Sequence, residues 1–290
     1  MITPSGLAET LLWGVANGCI YILLATGLSI IFGVMKLVNF AHGQLLMIGA
    51  YLAFTTSVIL GVNSYLAILV AMVGVAIIGV AVERLTFRKV LGTEKLNEIF
   101  VSLGLIYIFE NAAVLLWGNK SAQIPSSING ILSLAGISIS YDRLAAIGIV
   151  VVILLSIVFL MKRTKIGLAM QATSQKSDAA KLMGINIEKV YVFTFALGAA
   201  LAGAAGALYG IIFPFSPTLG ALPTIKAFAI IILGGLGSIP GAVIGGLLYG
   251  IAETTAGYLL GGIWPDAIAF VLLIAVLIIK PTGLFGGKGE

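Results

Sequence analysis

The chain of 290 residues is 60% hydrophobic and 9% charged, against roughly a quarter charged in an average soluble domain. Several uncharged stretches exceed the ~20 residues that a spanning helix needs, and none shows the alternation of a barrel strand. This excludes a soluble enzyme and predicts an all-α, polytopic membrane protein, in which a net charge of +5 bears on topology and not on nucleic acid.

The opening MITPSGLAE lacks a basic n-region and is not read as a cleaved signal peptide. Residues 10–35 carry no charge and predict the first span; KLVNFAH (36–42) is a polar break. The uncharged run 43–82 is too long for one helix, and the turn signal Gly61-Val62-Asn63-Ser64 divides it into two spans. Residues 83–98, with Arg84, Arg88, Lys89 and Lys95, read as a charged loop. A fourth span covers about 99–119 and carries Glu110 near its middle, where a carboxylate is costly unless partnered. With Asn111 beside it, a helix–helix hydrogen bond is expected. Residues 120–143 form a loop with room for a small extended hairpin, and 144–161 give the fifth span. The single cysteine, Cys19, excludes an intrachain disulfide and reads as packing.

The longest polar run follows, 162–189. It carries Lys162, Arg163, Lys165, Lys176, Lys181 and Lys189 against Asp178 and Glu188, so it belongs on the cytoplasmic side. Ser174 or Ser177 is expected to cap a short helix, Ala179, Ala180, Leu182 and Met183 to form its apolar side, and Gly184 to end it. Such a helix reads either as a docking surface for a soluble partner or as a connector lying on lipid headgroups.

A sixth span starts near Val190 and ends before Pro214, Pro217 and Pro223. Three further crossings at 227–238, 240–258 and 266–279 give nine; eight result if 227–238 is re-entrant. With the N-terminus outside and nine crossings, all 16 Lys and Arg fall inside except Lys120, Arg143 and Lys226.

Three patterns invite functional readings. Gly198, Ala202, Gly206 and Gly210 place small residues on one helix face, as tight packing in lipid requires; Gly14 with Gly18 and Gly246 with Gly250 repeat the device. The run GGLGSIPGAVIGG (234–246) is either a tight turn between spans or a helix break whose ends, with Gly235 and Gly237, meet a zwitterion. Asn39, His42 and Gln44 cluster after the first span, as structural groups or as part of a translocation path together with Gly235 and Gly237. A GxxxxGK[ST] phosphate cradle, an HExxH motif and an acidic diphosphate site are all missing from the sequence, so no enzyme chemistry is read here.

Four separated blocks carry a resemblance: GLSIIFGVMKLVNFAHGQLLMIGAYLA (27–53), GLAMQATSQKSDAAKLMGINIEKVYVFTFALGAALAGAAGAL (167–208), GGLGSIPGAVIGGLLYG (234–250) and KPTGLFG (280–286). In this order they resemble the LivH-type permease of bacterial branched-chain amino acid ABC importers. The resemblance implies a single transmembrane permease domain over 1–290 with about 8–9 helices, in the bacterial inner membrane. It implies a homologous second permease, two cytoplasmic ATPases and an extracytoplasmic amino-acid-binding protein as partners. ATP and Mg²⁺ would sit on the ATPases, with no cofactor in this chain. DAAKLMG resembles the E-A-A-x3-G coupling motif, with Asp178 in place of Glu and Ala179, Ala180 and Gly184 on matching positions; Leu182 joins them as a coupling residue. Gln171 stands where many relatives carry a basic residue. Two alternatives stay open: the same machine carrying urea or short amides, and a stand-alone secondary transporter using Glu110.

Overall fold

The computed structural model describes residues 4–128, 130–134, 136–261, 264–280 and 282–285. Residues 1–3 of the opening segment, and Pro281, Gly286 and Lys288 of the tail, lie outside them. The chain is helical nearly throughout. Helix α1 (Pro4–Met35) is followed by α2 (His42–Phe54), which runs on through a π-turn (Thr55–Ile59). Helix α3 (Ser64–Val82) passes through a second π-turn (Glu83–Phe87) into α4 (Arg88–Val90), and α5 (Lys95–Trp117) follows. Strands β1 (Ile131–Leu134) and β2 (Ile137–Ser140) pair antiparallel, Ile131 opposite Ser140, as the small hairpin expected in that loop. Then come α6 (Tyr141–Arg163), α7 (Lys165–Gln175), α8 (Ser177–Leu182), α9 (Ile187–Ile212), α10 (Ala221–Gly234), α11 (Ile239–Leu260) and α12 (Trp264–Ile279).

Seven helical stretches among the described residues are long and apolar enough to cross a membrane. The shorter α10 and α12 add to these, and the helices run between two ends. One end gathers Lys36, Lys95, Arg88 and Glu188: Lys95 Nζ donates to Lys36 O at 2.7 Å, and Arg88 meets Glu188 at 3.3 Å. This basic end also carries α7 and α8. The opposite end holds the hairpin, with Trp117 Nε1 donating to Thr55 Oγ1 at 2.8 Å and stacked on Tyr51.

Helix α1 lies at the centre, against α11 and α9, and α9 also holds α2 and α3. Lipid supplies no hydrophobic drive for these pairings, so backbone proximity must do it. Across α1 and α11, a Cβ on Gly14 would fall 2.8 Å from the Ile251 Cα, and one on Gly18 would fall 3.0 Å from the Gly246 carbonyl. On α9, Gly198 faces Gly27 and Ile31, Ala202 is fully buried, Gly206 lies on the Leu46 carbonyl, and Gly210 meets Ile124 and Phe215.

Two expectations, the loop at 83–98 and the hydrogen bond at Glu110, need correction, and one open reading is decided. Residues 83–98 are mostly helix, and only 91–94 connect α4 to α5. The reason is pairing: the Glu83 carboxylate is 1% exposed and bonds Arg88 at 3.0 Å, so the helix can carry both charges onward. Of the two readings open for the run 234–246, the tight turn between spans is the one that forms. Gly235–Ser238 is a tight turn at the basic end, Ser238 Oγ caps α11 by accepting from Gly241 N at 3.1 Å, and α11 continues without interruption. Its glycines let Gly234 touch Gly241 and Gly237 touch Gly33. Glu110 is half-buried on α5 and forms no hydrogen bond or ion pair among the described residues, while Asn111 donates to its own helix at Tyr107 O.

Candidate functional site

The helix breaks lie elsewhere. At Met35 the chain enters a left-handed turn at Lys36 (φ 54°) and doubles back through 37–41 without helical structure. Glu98 and Lys95 hold this return: Glu98 Oε2 accepts from Val38 N at 3.3 Å, and Lys95 bonds both Glu98 and the Lys36 carbonyl. Asn39 is buried and accepts from Ala41 N at 3.0 Å. The climb ends at His42, fully buried, whose Nε2 lies 3.2 Å from the Leu24 carbonyl. Leu24 is about 16 Å up α1 from Met35 at 1.5 Å per residue, half of a ~30 Å hydrocarbon core. Helix α2 therefore starts near mid-depth.

Helix α10 does the same from the other side. After α9 the chain bridges to Ala122 at Phe215, turns at 216–219, and becomes helical only at Ala221. Gly43 N donates to Thr224 Oγ1 at 3.0 Å, Gly43 abuts the Gly220 carbonyl, and the Gln44 side chain lies on Gly220. Two helix N-termini thus begin side by side at mid-depth and leave in opposite directions. Non-helical backbone at such depth persists where protein buries it or where it lines a cavity. Around this junction His42 Nδ1 and both polar atoms of the Gln44 amide are buried without a hydrogen-bond partner among the described residues. On its open side are Leu222 and Ile225 of α10, with Phe40 packed at a tilt on Phe228, ring centroids 4.8 Å apart. Asn39, His42 and Gln44 are brought together; Gly235 and Gly237 sit apart at the basic end, where Gly237 faces Gly33.

The polar run 162–189 forms two helices. Thr164 caps α7 by accepting from Gly167 N at 3.1 Å. Ser174 and Ser177 do not cap α8: Ser174 lies within α7 and donates to Gln171 O, and the break falls at Lys176, with Ser177 the first helical residue. Gly184 (φ 84°) ends α8, with Ile185 N donating to Ala180 O at 3.1 Å and Gly184 N to Lys181 O at 3.0 Å. Ala180 turns inward, Asp178 and Ala179 are exposed, and Leu182 and Met183 are 89% and 83% exposed. The α7–α8 elbow borders a cleft of about 440 Å³ that it shares with Lys36, Lys95 and Glu98, so the segment adjoins the return before α2.

Residues 10–277 match the family described as branched-chain amino acid transport system, permease component. The chain belongs to this family. The permease is 34% identical to the high-affinity branched-chain amino acid transport system permease protein BraD of Pseudomonas aeruginosa, over 96% of this chain and 95% of that one. It is 34% identical to LivH of Salmonella typhimurium, covering 94% and 93%, and 30% identical to a probable LivH of Methanocaldococcus jannaschii, covering 91% and 88%. The solved structure of PsaBC from Streptococcus pneumoniae in complex with Fab superposes with a TM-score of 0.50 at 13% identity, over 94% and 92% of the two chains, a likeness of fold alone.

Two sets of charges in the permease escape a reading from sequence. Lys226, counted as an outside cation, sits between α10 and α11, with its Nζ 2.5 Å from Glu253 and 3.0 Å from Asp266. A lone lysine beside a long uncharged run was the available signal, because such a charge needs a partner. The second set is Lys95 and Glu98. Glu98→Ala leaves the part-buried Val38 amide without its acceptor and the Lys95 ammonium with the Lys36 carbonyl alone, at about 1–3 kcal/mol for an orphaned donor. The expected result is a thermal midpoint lowered by several degrees in detergent, at about 2–4 °C per kcal/mol for a chain of this size. Glu98→Gln, which keeps an acceptor, should lose less. Equal midpoints in a fluorescence melt would refute this tie.

Proposed function

We propose that the permease is the membrane subunit of an ATP-driven importer that moves branched-chain amino acids into the cytoplasm by alternating access. Its basic end faces the cytoplasm, as short Lys/Arg-rich loops favour, and its host membrane is a bacterial inner membrane. The observation that carries this reading is α8: two large apolar side chains at its end held almost fully in water, on a helix braced by α7 and α9. Leu182 and Met183 would anchor an ATPase, with Asp178, Ala179 and Gly184 shaping the contact and Ala180 seating α8 on the permease. The sequence holds no P-loop, so the energy source lies on partner chains. Two ATPases binding ATP and Mg²⁺, a homologous second permease and an extracytoplasmic binding protein complete the assembly.

Motion of α8 would pass through the adjoining cleft to the return at 36–41 and to the junction of α2 with α10. There Asn39, His42 and Gln44 offer polar groups, and Phe40, Leu222 and Ile225 offer an apolar wall suited to aliphatic cargo. The names of the relatives given above favour branched-chain amino acids over urea or amides. Gln171, in place of a basic residue, acts locally, its Nε2 donating to Met161 O and holding α7 on the end of α6.

Affinity purification of the tagged permease from its host, with mass spectrometry of what stays bound, tests the assembly. Two ATPases and a second permease are expected; a homo-oligomer without ATPase would overturn it. In the same complex Glu110→Gln should leave ATP-driven uptake within about twofold, since a residue without a bonding partner contributes little to an ATP-driven cycle; loss of uptake would point to ion coupling instead.

A further inference from the structure

We propose that the permease binds the headgroup of an anionic phospholipid in a cleft between the basic ends of α3 and α9. The cleft has a volume of about 390 Å³. Its floor is apolar, made by Val80 on α3 and by Val192, Phe193 and Ala196 on α9. Its rim carries Arg84, Arg88 and Lys189 with one carboxylate, Glu188. The charges are not equivalent. Arg88 is held by two carboxylates, the buried Glu83 at 3.0 Å and Glu188 at 3.3 Å. Arg84 and Lys189 have no ion-pair partner among the described residues, so they are the cations left for an incoming anion.

The order of these groups along the helices is the order of a lipid. Arg84 lies one turn beyond Val80 toward the basic end of α3, and Lys189 one turn before Val192 and Phe193 on α9, so both cations sit on the water side of the apolar floor. On the membrane side the surface continues through Ile77 and Val73, both exposed. A free phosphate would use the rim and leave the floor uncovered, and a soluble protein would not follow the floor down α3. A headgroup on Arg84 and Lys189 with an acyl chain against Val80 and Phe193 uses both. The site needs only a membrane location at the basic end, so it stands or falls apart from the cargo.

Native mass spectrometry of the full-length permease, exchanged from mixed micelles of phosphatidylglycerol and phosphatidylcholine, tests the site. Each basic residue near an anionic surface strengthens binding by about fivefold, so Arg84→Gln with Lys189→Gln should cut retained phosphatidylglycerol by about 25-fold and leave phosphatidylcholine unchanged. The thermal shift on adding phosphatidylglycerol should disappear in the double variant, while its midpoint without lipid stays at the wild-type value. Unchanged phosphatidylglycerol retention would overturn the proposal. So would complete displacement of the lipid by millimolar inorganic phosphate, or crosslinking of Lys189 to a soluble subunit in the assembled complex.

Discussion

Leucine in place of Gly206 is expected to prevent the permease from accumulating as a folded protein. Gly206 lies on the Leu46 carbonyl, close enough that even a Cβ would overlap backbone, and Ala50 N is within 2.9 Å of that Cβ position. Backbone cannot swing aside as a side-chain tip can, so α2 would have to leave α9. A single surplus methylene in a packed core costs roughly 1–3 kcal/mol, and leucine adds several carbons where none fits. The loss would also displace the start of α2, with His42 and Gln44 on it. Fluorescence-detected size exclusion should show the monodisperse peak of Gly206→Leu below about one tenth of wild type, with Gly206→Ala intermediate. Gly104→Ala is the control, because a Cβ there meets nothing within 4 Å. A normal peak for Gly206→Leu would mean that α2 and α9 do not pack as described.

The second large effect concerns coupling. The double change Leu182→Asp with Met183→Asp should abolish ATP-driven uptake while leaving the fold intact. Both side chains are almost wholly exposed, and exposed substitutions usually shift stability by no more than about 0.5 kcal/mol. Anchor residues of an interface carry about 2–4 kcal/mol each, and every 1.4 kcal/mol is tenfold in affinity. Losing the anchors should weaken ATPase binding at least 100-fold. The expected result is a normal melting midpoint, lost co-purification of the ATPases and uptake at background. Full uptake in the double variant would remove α8 from the coupling path.

The spans were legible because uncharged length is a local property, and so was the hairpin between Pro125 and Asp142. The end of α8 was also legible, since Gly184 is the residue that a left-handed terminus favours. The mid-depth starts of α2 and α10 were not. KLVNFAH reads as an ordinary polar break, because nothing in its composition records that it climbs back along α1; Glu98, far ahead in sequence, holds it there. The glycines of 234–246 left a tight turn and a broken helix both open, and in the turn that forms they serve backbone contacts with Gly33 and with one another. Glycine marks close approach, and the sequence does not name what approaches. Prolines 214 and 217 marked the end of α9 correctly, but the length of non-helical chain before Ala221 depends on the partner Gly43 and Thr224 provide. Charge counting treated Lys226 as a loop cation because it cannot see pairing with Glu253 and Asp266.

The most direct test is uptake of radiolabelled leucine by proteoliposomes that hold the purified assembly, with the binding protein supplied on the side opposite the basic end. Uptake that requires ATP and Mg²⁺, stops when the binding protein is withheld and fails with Leu182→Asp/Met183→Asp is the expected result. Uptake driven by a proton or sodium gradient without ATP, and lost in Glu110→Gln, would contradict the account.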